Sequence, residues 1–201
     1  MTKRSSSSME VLLGLLTIAP MSGYDLGQTI RGSVGHFWNE SYGQIYPNLK
    51  ALEAGGFVKS EKERQKGKPD RHIYSLTKKG RERLTTWLAV NPQPEIPRNE
   101  LLLKLFFGAQ ASPGTVIQHI ERMVANETVA LREFKRIEHE EIDKNQQYLD
   151  APYWKMAARF GQLEVKAHLR WGEETLSELR KIAKKQQSLL ETKKEKKHAG
   201  R

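Results

Sequence analysis

Residues 41–58 constrain the chain more than any other stretch, because a short amphipathic helix, a glycine stop and a strand follow one another without a gap. Ser41 and Gln44 stand at capping-box spacing, so each side chain can satisfy a free N–H of the first turn. Ile45, Leu49 and Leu52 follow at i, i+4 and i+7, one helical face. Gly55-Gly56 supplies the residue type that a left-handed C-terminal cap needs. Pro47 breaks the local rule. It lies past the first turn, where its ring presses on the carbonyl four residues back, here that of Gly43. A rule broken inside an otherwise consistent helix marks a functional position. Away from the apolar stripe the helix offers Tyr42, Gln44, Tyr46, Asn48 and Lys50, a polar, aromatic and basic set. This reads as a DNA recognition helix, with a plain amphipathic helix as the alternative.

The elements on either side agree with that reading. Residues 1–8 are a polar leader expected to be disordered, and Ser7 with Glu10 forms a second capping-box pair. Met9, Leu12, Leu13 and Leu16 give a first helix, which Pro20 stops. Ser22 caps a second helix with Leu26, Ile30 and Val34 at spacings of four. His36-Phe37-Trp38 is a loop whose two large apolar residues are expected to anchor in the core. After the central helix, Phe57–Gln65 alternates charges and suits a strand, residues 66–70 form a Gly/Pro turn, and Arg71–Leu76 is a second strand. Thr77 caps a fourth helix carrying Leu84, Trp87 and Leu88. Three helices, a hairpin and a closing helix are the element order of a winged helix-turn-helix. Arg64, Lys66, Lys68 and Arg71 cluster at the hairpin tip, either as a wing on phosphate or as a solvated turn.

Charge points the same way. The net charge is +10, a balance that suits a polyanionic partner. Residues 1–91 hold 14 Lys and Arg against 8 Asp and Glu, whereas residues 92–185 hold 15 against 14. The excess therefore sits beside the candidate recognition helix. With no cysteine in the chain, disulfides, thiolate catalysis and cysteine zinc sites are excluded. No apolar run approaches a membrane span, so the expected location is the cytoplasm, without membrane contact. Phosphate-cradling glycine loops, nucleophile elbows and metal-spaced His pairs are missing. No enzyme activity, catalytic residue, metal or cofactor is expected.

Pro92, Pro94 and Pro97 make residues 92–97 a stiff linker between a winged-helix domain at 9–91 and a helical domain at 98–189, with a basic tail at 190–201. Leu101, Leu102, Leu105 and Phe106 form a short helix. Ser112-Pro113 opens a long one running towards Leu149. Ile117, Ile120, Val124, Leu131 and Phe134 give it a coiled-coil-like seam. A last long helix follows Asp150-Ala151-Pro152 and carries Leu163, Leu179 and Ile182. Stripes of this length predict association. The alternative is an intramolecular hairpin. The fold class expected is mainly α: an N-terminal winged helix-turn-helix followed by a helical, coiled-coil-like dimerisation domain.

Met9–Ala89 resembles the winged-helix domain of the PadR-like transcriptional regulators. The resemblance rests on Gly14-Leu15-Leu16, Ser22-Gly23-Tyr24-Asp25-Leu26, Ser41–Pro47 with Leu49, Leu52, Gly56 and Phe57, and Arg71–Gly80. The second half is similar to the long helical domain of the virulence-activator-like branch, through Lys104–Phe107, Tyr153-Trp154, Phe160-Gly161 and Trp171. The resemblance implies a homodimer that binds double-stranded DNA at an inverted-repeat operator, usually as a repressor. It also implies a small, often aromatic or phenolic, effector.

On this reading Tyr42, Gln44 and Asn48 read base edges in the major groove, while Tyr46 and Lys50 hold phosphate. Ser22 and Tyr24, at the start of the second helix, are further backbone contacts. Lys66, Lys68 and Arg71 add counterion release. Phe106, Phe107, Tyr153, Trp154, Phe160 and Trp171 are candidates to line an effector pocket, or else belong to the core and dimer interface. A second function class stays open: a protein-interaction module using a winged helix and coiled coil without operator-specific DNA binding.

Overall fold

The computed structural model describes residues 4–38, 42–63, 71–92 and 98–199. They divide into two compact units, Met1–Pro94 and Glu95–Arg201.

In the first unit α1 (Arg4–Leu15) begins earlier than the sequence suggests, so Ser7 lies inside the helix and does not cap it. A hydrogen-bonded turn follows Leu15, and Pro20 comes after the helix has already ended. Residues Met21–Ser22 form β1, a two-residue strand that leads directly into α2 (Gly23–Gly32). Both halves of a capping box are present at this junction. The Ser22 hydroxyl accepts from the Asp25 N–H at 3.2 Å, and the Asp25 carboxylate accepts from the Ser22 N–H at 3.1 Å. Val34–His36 is one turn of 3-10 helix. Phe37 beyond it is 63% exposed, which corrects the expectation that it anchors the core.

The central helix α3 is Tyr42–Ala54, with Pro47 inside it. Ile45, Leu49 and Leu52 are fully buried, as their spacing demands. Gly56 ends the helix with φ +71, a conformation in which glycine avoids the Cβ penalty. Two antiparallel strands follow, β2 (Val58–Glu63) and β3 (Arg71–Leu76), in a register that runs from Val58↔Leu76 to Glu63↔Arg71. β1 adds to the other edge of β3, pairing Met21 with Tyr74, and the sheet order is β1-β3-β2.

Thr77 caps α4 (Lys78–Leu88) by accepting from the Gly80 N–H. The same hydroxyl donates to the Phe57 carbonyl at 2.9 Å. Gly80 is required here, because a Cβ would stand 2.1 Å from the Phe57 carbonyl oxygen. Leu12, Leu26, Ile30, Ile45, Leu49 and Leu84 share one core between the helices and the sheet.

The second unit starts with α5 (Glu100–Phe106) and a 3-10 turn, then α6 (Pro113–Arg136), which Ser112 caps with Pro113 in the first turn. It does not continue as α-helix towards Leu149. Ile137–Ile142 is a π-helical turn and Asp143–Asn145 a 3-10 turn. The wider turn lets Ile137 and Ile142, five residues apart, both join one buried cluster with Ala158. The last helix, α7 (Ala151–Ala199), runs 49 residues and packs against α6.

That packing corrects the assignment of the seam to a dimer interface. Ile120, Phe134 and Leu179 are buried within the chain itself, and Ile117 and Val124 pack against the same cluster as Val116 and Leu176. Leu131 is half-buried, whereas Leu163 and Ile182 remain exposed. Two glycines let the helices approach: a Cβ on Gly161 would meet the Phe134 ring at 2.3 Å, and one on Gly172 would meet Val124 at 2.5 Å. No helix among the described residues is long and apolar enough to cross a membrane.

Candidate nucleic-acid interface

The first unit carries a concavity of about 640 Å³ where α2, α3 and β3 meet. Ser22, Tyr24 and Asp25 line it from the start of α2, Tyr46, Lys50 and Glu53 from α3, and Arg71, His72 and Tyr74 from β3. Helical geometry explains which part of α3 takes part. Successive residues advance by about 100°, so residues two apart lie on nearly opposite sides. Tyr46, Lys50 and Glu53 are spaced by four and three and share one side. Gln44 is exposed on another side and does not line the concavity. Asn48 is three residues from Ile45 and four from Leu52, and it is only 8% exposed. The core face has claimed it, which corrects its assignment as a base reader.

Ser22 is also corrected. It is 5% exposed, and its hydroxyl, which accepts from the Asp25 N–H, donates to the Asp25 carboxylate at 2.7 Å. The residue organises the start of α2 and leaves nothing free for a phosphate. These bonds, with the Ser22 hydroxyl foremost, hold the Asp25 carboxyl below the usual carboxylate range, against the opposing effect of burial. Tyr24 is exposed, and its hydroxyl accepts from Gln28 Nε2 at 2.6 Å, which fixes the ring at the rim.

Tyr46 is half exposed, and its ring lies over Gly23. Lys50 is exposed and makes no ion pair among the described residues. Arg71 faces its cross-strand neighbour Glu63 and pairs with it, and its second partner is Asp25 at 3.5 Å. Its guanidinium is therefore positioned but already in contact with carboxylates. Arg64, Lys66 and Lys68 lie outside the described residues, as do the Tyr42 side chain and Ser41.

Glu53, His72 and Tyr74 were not singled out by sequence. Glu53 accepts from the Ser60 hydroxyl at 2.5 Å, and Ser60 Oγ is 3.4 Å from His72 Nδ1, so a polar chain ties the end of α3 to both long strands. Burial, then the nearby Glu53 and Tyr46, push the Tyr74 hydroxyl above its ordinary pKa. The i, i+4, i+7 spacing of Tyr46, Lys50 and Glu53 was a signal available for Glu53. Nothing local marks His72 or Tyr74, which reach the concavity only because β3 pairs on both edges.

The six aromatic residues proposed for an effector pocket do not gather. Phe106 and Phe107 are exposed and stack edge to face, with ring centroids 5.1 Å apart. Tyr153 and Phe160 are exposed on α7. Trp154 packs on Ile137 and Ile142, with Tyr148 at 5.8 Å, and Trp171 belongs to the α6–α7 core. A cleft of about 300 Å³ between α5 and α6 is lined by Leu101, Lys104, His119, Arg122 and Met123 among others, and none of the six aromatic residues lines it.

Known proteins share this architecture. Residues 12–86 match the transcriptional regulator PadR-like family, and residues 97–180 match the virulence activator alpha C-terminal domain. The negative transcriptional regulator PadR of Bacillus subtilis is 37% identical over 97 residues, 48% of this chain and 53% of that protein. The chain spans about half or less of the length of the curated relatives it matches. A crystal structure of B. subtilis PadR in complex with operator DNA superposes with a TM-score of 0.75 at 25% identity, covering 86% of this chain and 99% of that one. In fold the chain is also similar to the structure of that protein in complex with p-coumaric acid, with a TM-score of 0.69 at 23% identity over 90% of this chain and 99% of that one. With a winged helix and a long helical domain each matched in sequence order, the chain belongs to the PadR-like family of transcriptional regulators, in the form that carries the virulence activator alpha C-terminal domain.

Proposed function

We propose that this regulator works as a homodimeric repressor that grips an inverted-repeat operator with paired winged helices and leaves it when a small aromatic effector binds. The observation that carries the reading is the convergence of Tyr24, Tyr46, Lys50 and Arg71 on one concavity built from α2, α3 and β3. In this scheme Lys50, Tyr46 and Tyr24 hold backbone phosphates, and Arg71 exchanges its carboxylate partners for phosphate. The cations Arg64, Lys66 and Lys68 add sequence-independent affinity. Gln44 and Tyr42 read base edges, with Gln44 suited to adenine.

Support for the dimer comes from α7. Tyr153, Met156, Phe160 and Leu163, spaced by three, four and three, form an exposed apolar stripe on that helix. Ala158 and Val165 fall on its buried side. An uncovered stripe of this kind marks an association surface. A two-fold pair would place its heads about one DNA turn apart, roughly 34 Å, or a multiple of it. Support for an aromatic effector is the p-coumaric acid complex of the B. subtilis relative.

Selection of bound fragments from the organism's own genome, followed by anisotropy titration, tests the proposal. The expected result is an inverted repeat bound in preference to random duplex. Equal affinity for both at about 0.15 M salt, where exposed charges beyond about 8 Å are largely screened, would overturn it.

A further inference from the structure

The match to the C-terminal family domain ends at residue 180, but the helix does not. α7 continues unbroken to Ala199. Leu179 is the last buried residue described on it, and from residue 181 onward every described side chain is exposed except Ala183, which is half-buried. The segment 181–199 would extend about 28 Å at 1.5 Å per residue. A helix this short is marginal alone, but here it only propagates from a packed body and escapes the cost of nucleation.

Its composition is one-sided. Residues 181–201 hold eight Lys and Arg against two Glu, a surplus of six out of the chain's +10. Lys181 and Lys185 are four residues apart, as are Lys193 and Lys197. Like charges at that spacing destabilise a helix in water, a cost that a polyanion removes. Among the described residues Lys181 pairs with Glu178 at 2.7 Å, whereas Lys184 and Lys185 have no ion pair.

We infer that residues 181–199 form a basic helical arm that binds the phosphate backbone of duplex DNA beside the operator, adding affinity without sequence preference. This rests on the proposed DNA-binding function. Its signature is separable, because base-reading contacts set the ratio between sequences, whereas phosphate contacts set the salt dependence.

The test compares the full chain with a full-length variant carrying Lys184→Gln, Lys185→Gln, Lys193→Gln, Lys194→Gln, Lys196→Gln and Lys197→Gln, in which glutamine keeps helix propensity. Circular dichroism and sedimentation establish equal helix content and assembly. Binding of the genome-selected fragment and of random duplex is then followed against salt. Each phosphate that is no longer neutralised flattens the slope of log K against log salt by about 0.9, so a change of about two or more is expected. Both affinities should fall by the same factor, about tenfold or more at moderate salt, with their ratio unchanged. An unaltered slope overturns the arm, as does a fall confined to the selected fragment. If the parent binds all duplexes equally yet the variant slope flattens, the arm stands and the operator reading falls.

Discussion

Gly23 and Tyr46 touch across the α2–α3 junction so closely that a Cβ added to the glycine would stand 2.7 Å from the tyrosine ring. The first residue of α2 thereby sets where the most prominent aromatic side chain of α3 lies. Gly23→Ala should push the ring outward, since the added Cβ also meets Leu49 Cδ1 at 3.3 Å and cannot shift that way. Overpacking of this kind costs about 1–3 kcal/mol, and the propensity gain of Ala over Gly, up to about 1 kcal/mol, is smallest at a helix end. We expect a net loss of about 1 kcal/mol in urea unfolding and weaker binding to the selected operator. Unchanged operator affinity with unchanged stability would show that the ring position is not set by this contact.

Glu10 and Arg83 tie the first helix to the last of the winged-helix unit, with a nitrogen–oxygen distance of 2.8 Å. Glu10 is 3% exposed, its other carboxylate oxygen lacks a partner among the described residues, and Arg83 also covers the Phe57 ring at 4.8 Å. Arg83→Met leaves a buried carboxylate uncompensated and should cost about 3 kcal/mol. Adding Glu10→Met should recover most of that loss, because two apolar chains need no solvation. Denaturant melts of the two single variants and the double variant decide the matter. A double variant no better than Arg83→Met alone would contradict it.

In the helical unit, Gly161 sits under Phe134. Gly161→Ala would place a methyl group 2.3 Å from the ring and should destabilise the α6–α7 pair by about 2 kcal/mol. Phe134→Leu in the same chain should restore part of the loss by removing the ring, although the leucine substitution alone is destabilising. A coupling energy near zero in the double-mutant cycle would mean that the two helices adjust by sliding.

The capping box at Ser22 predicts a pH signature. Because the folded-state Asp25 carboxyl is depressed below its ordinary value, its contribution is present above the unfolded pKa and is lost as pH falls through the folded one. Ser22→Ala removes the two hydroxyl bonds, leaving only the backbone N–H to hold the Asp25 carboxylate, and should cost about 1 kcal/mol near neutrality. The difference between parent and variant should shrink as pH falls from about 5 towards 2. A gap that stays constant across that range would assign the loss to packing of the buried Ser22.

Helix α3 separates what one dimension encodes from what three decide. Ile45, Leu49 and Leu52 are all buried because a 3.6-residue period alone sends them to one side. The caps at Ser22, Thr77 and Ser112 are equally local, since each bonds an N–H three residues ahead. The sequence by itself therefore determined the helices and hairpin of the winged unit, through bonds and periodicities that close within a few residues. Its family was legible too, because those elements follow one another in a specific order. Only the tertiary structure decided the depth of Asn48, the partner of the α6 seam, the π turn at Ile137–Ile142 and the scattering of the aromatic residues. Tertiary structure also brought His72 and Tyr74 to the concavity. Each of these depends on which surface a second, distant element covers. An apolar stripe looks the same in sequence whether α7 of its own chain or another molecule packs on it.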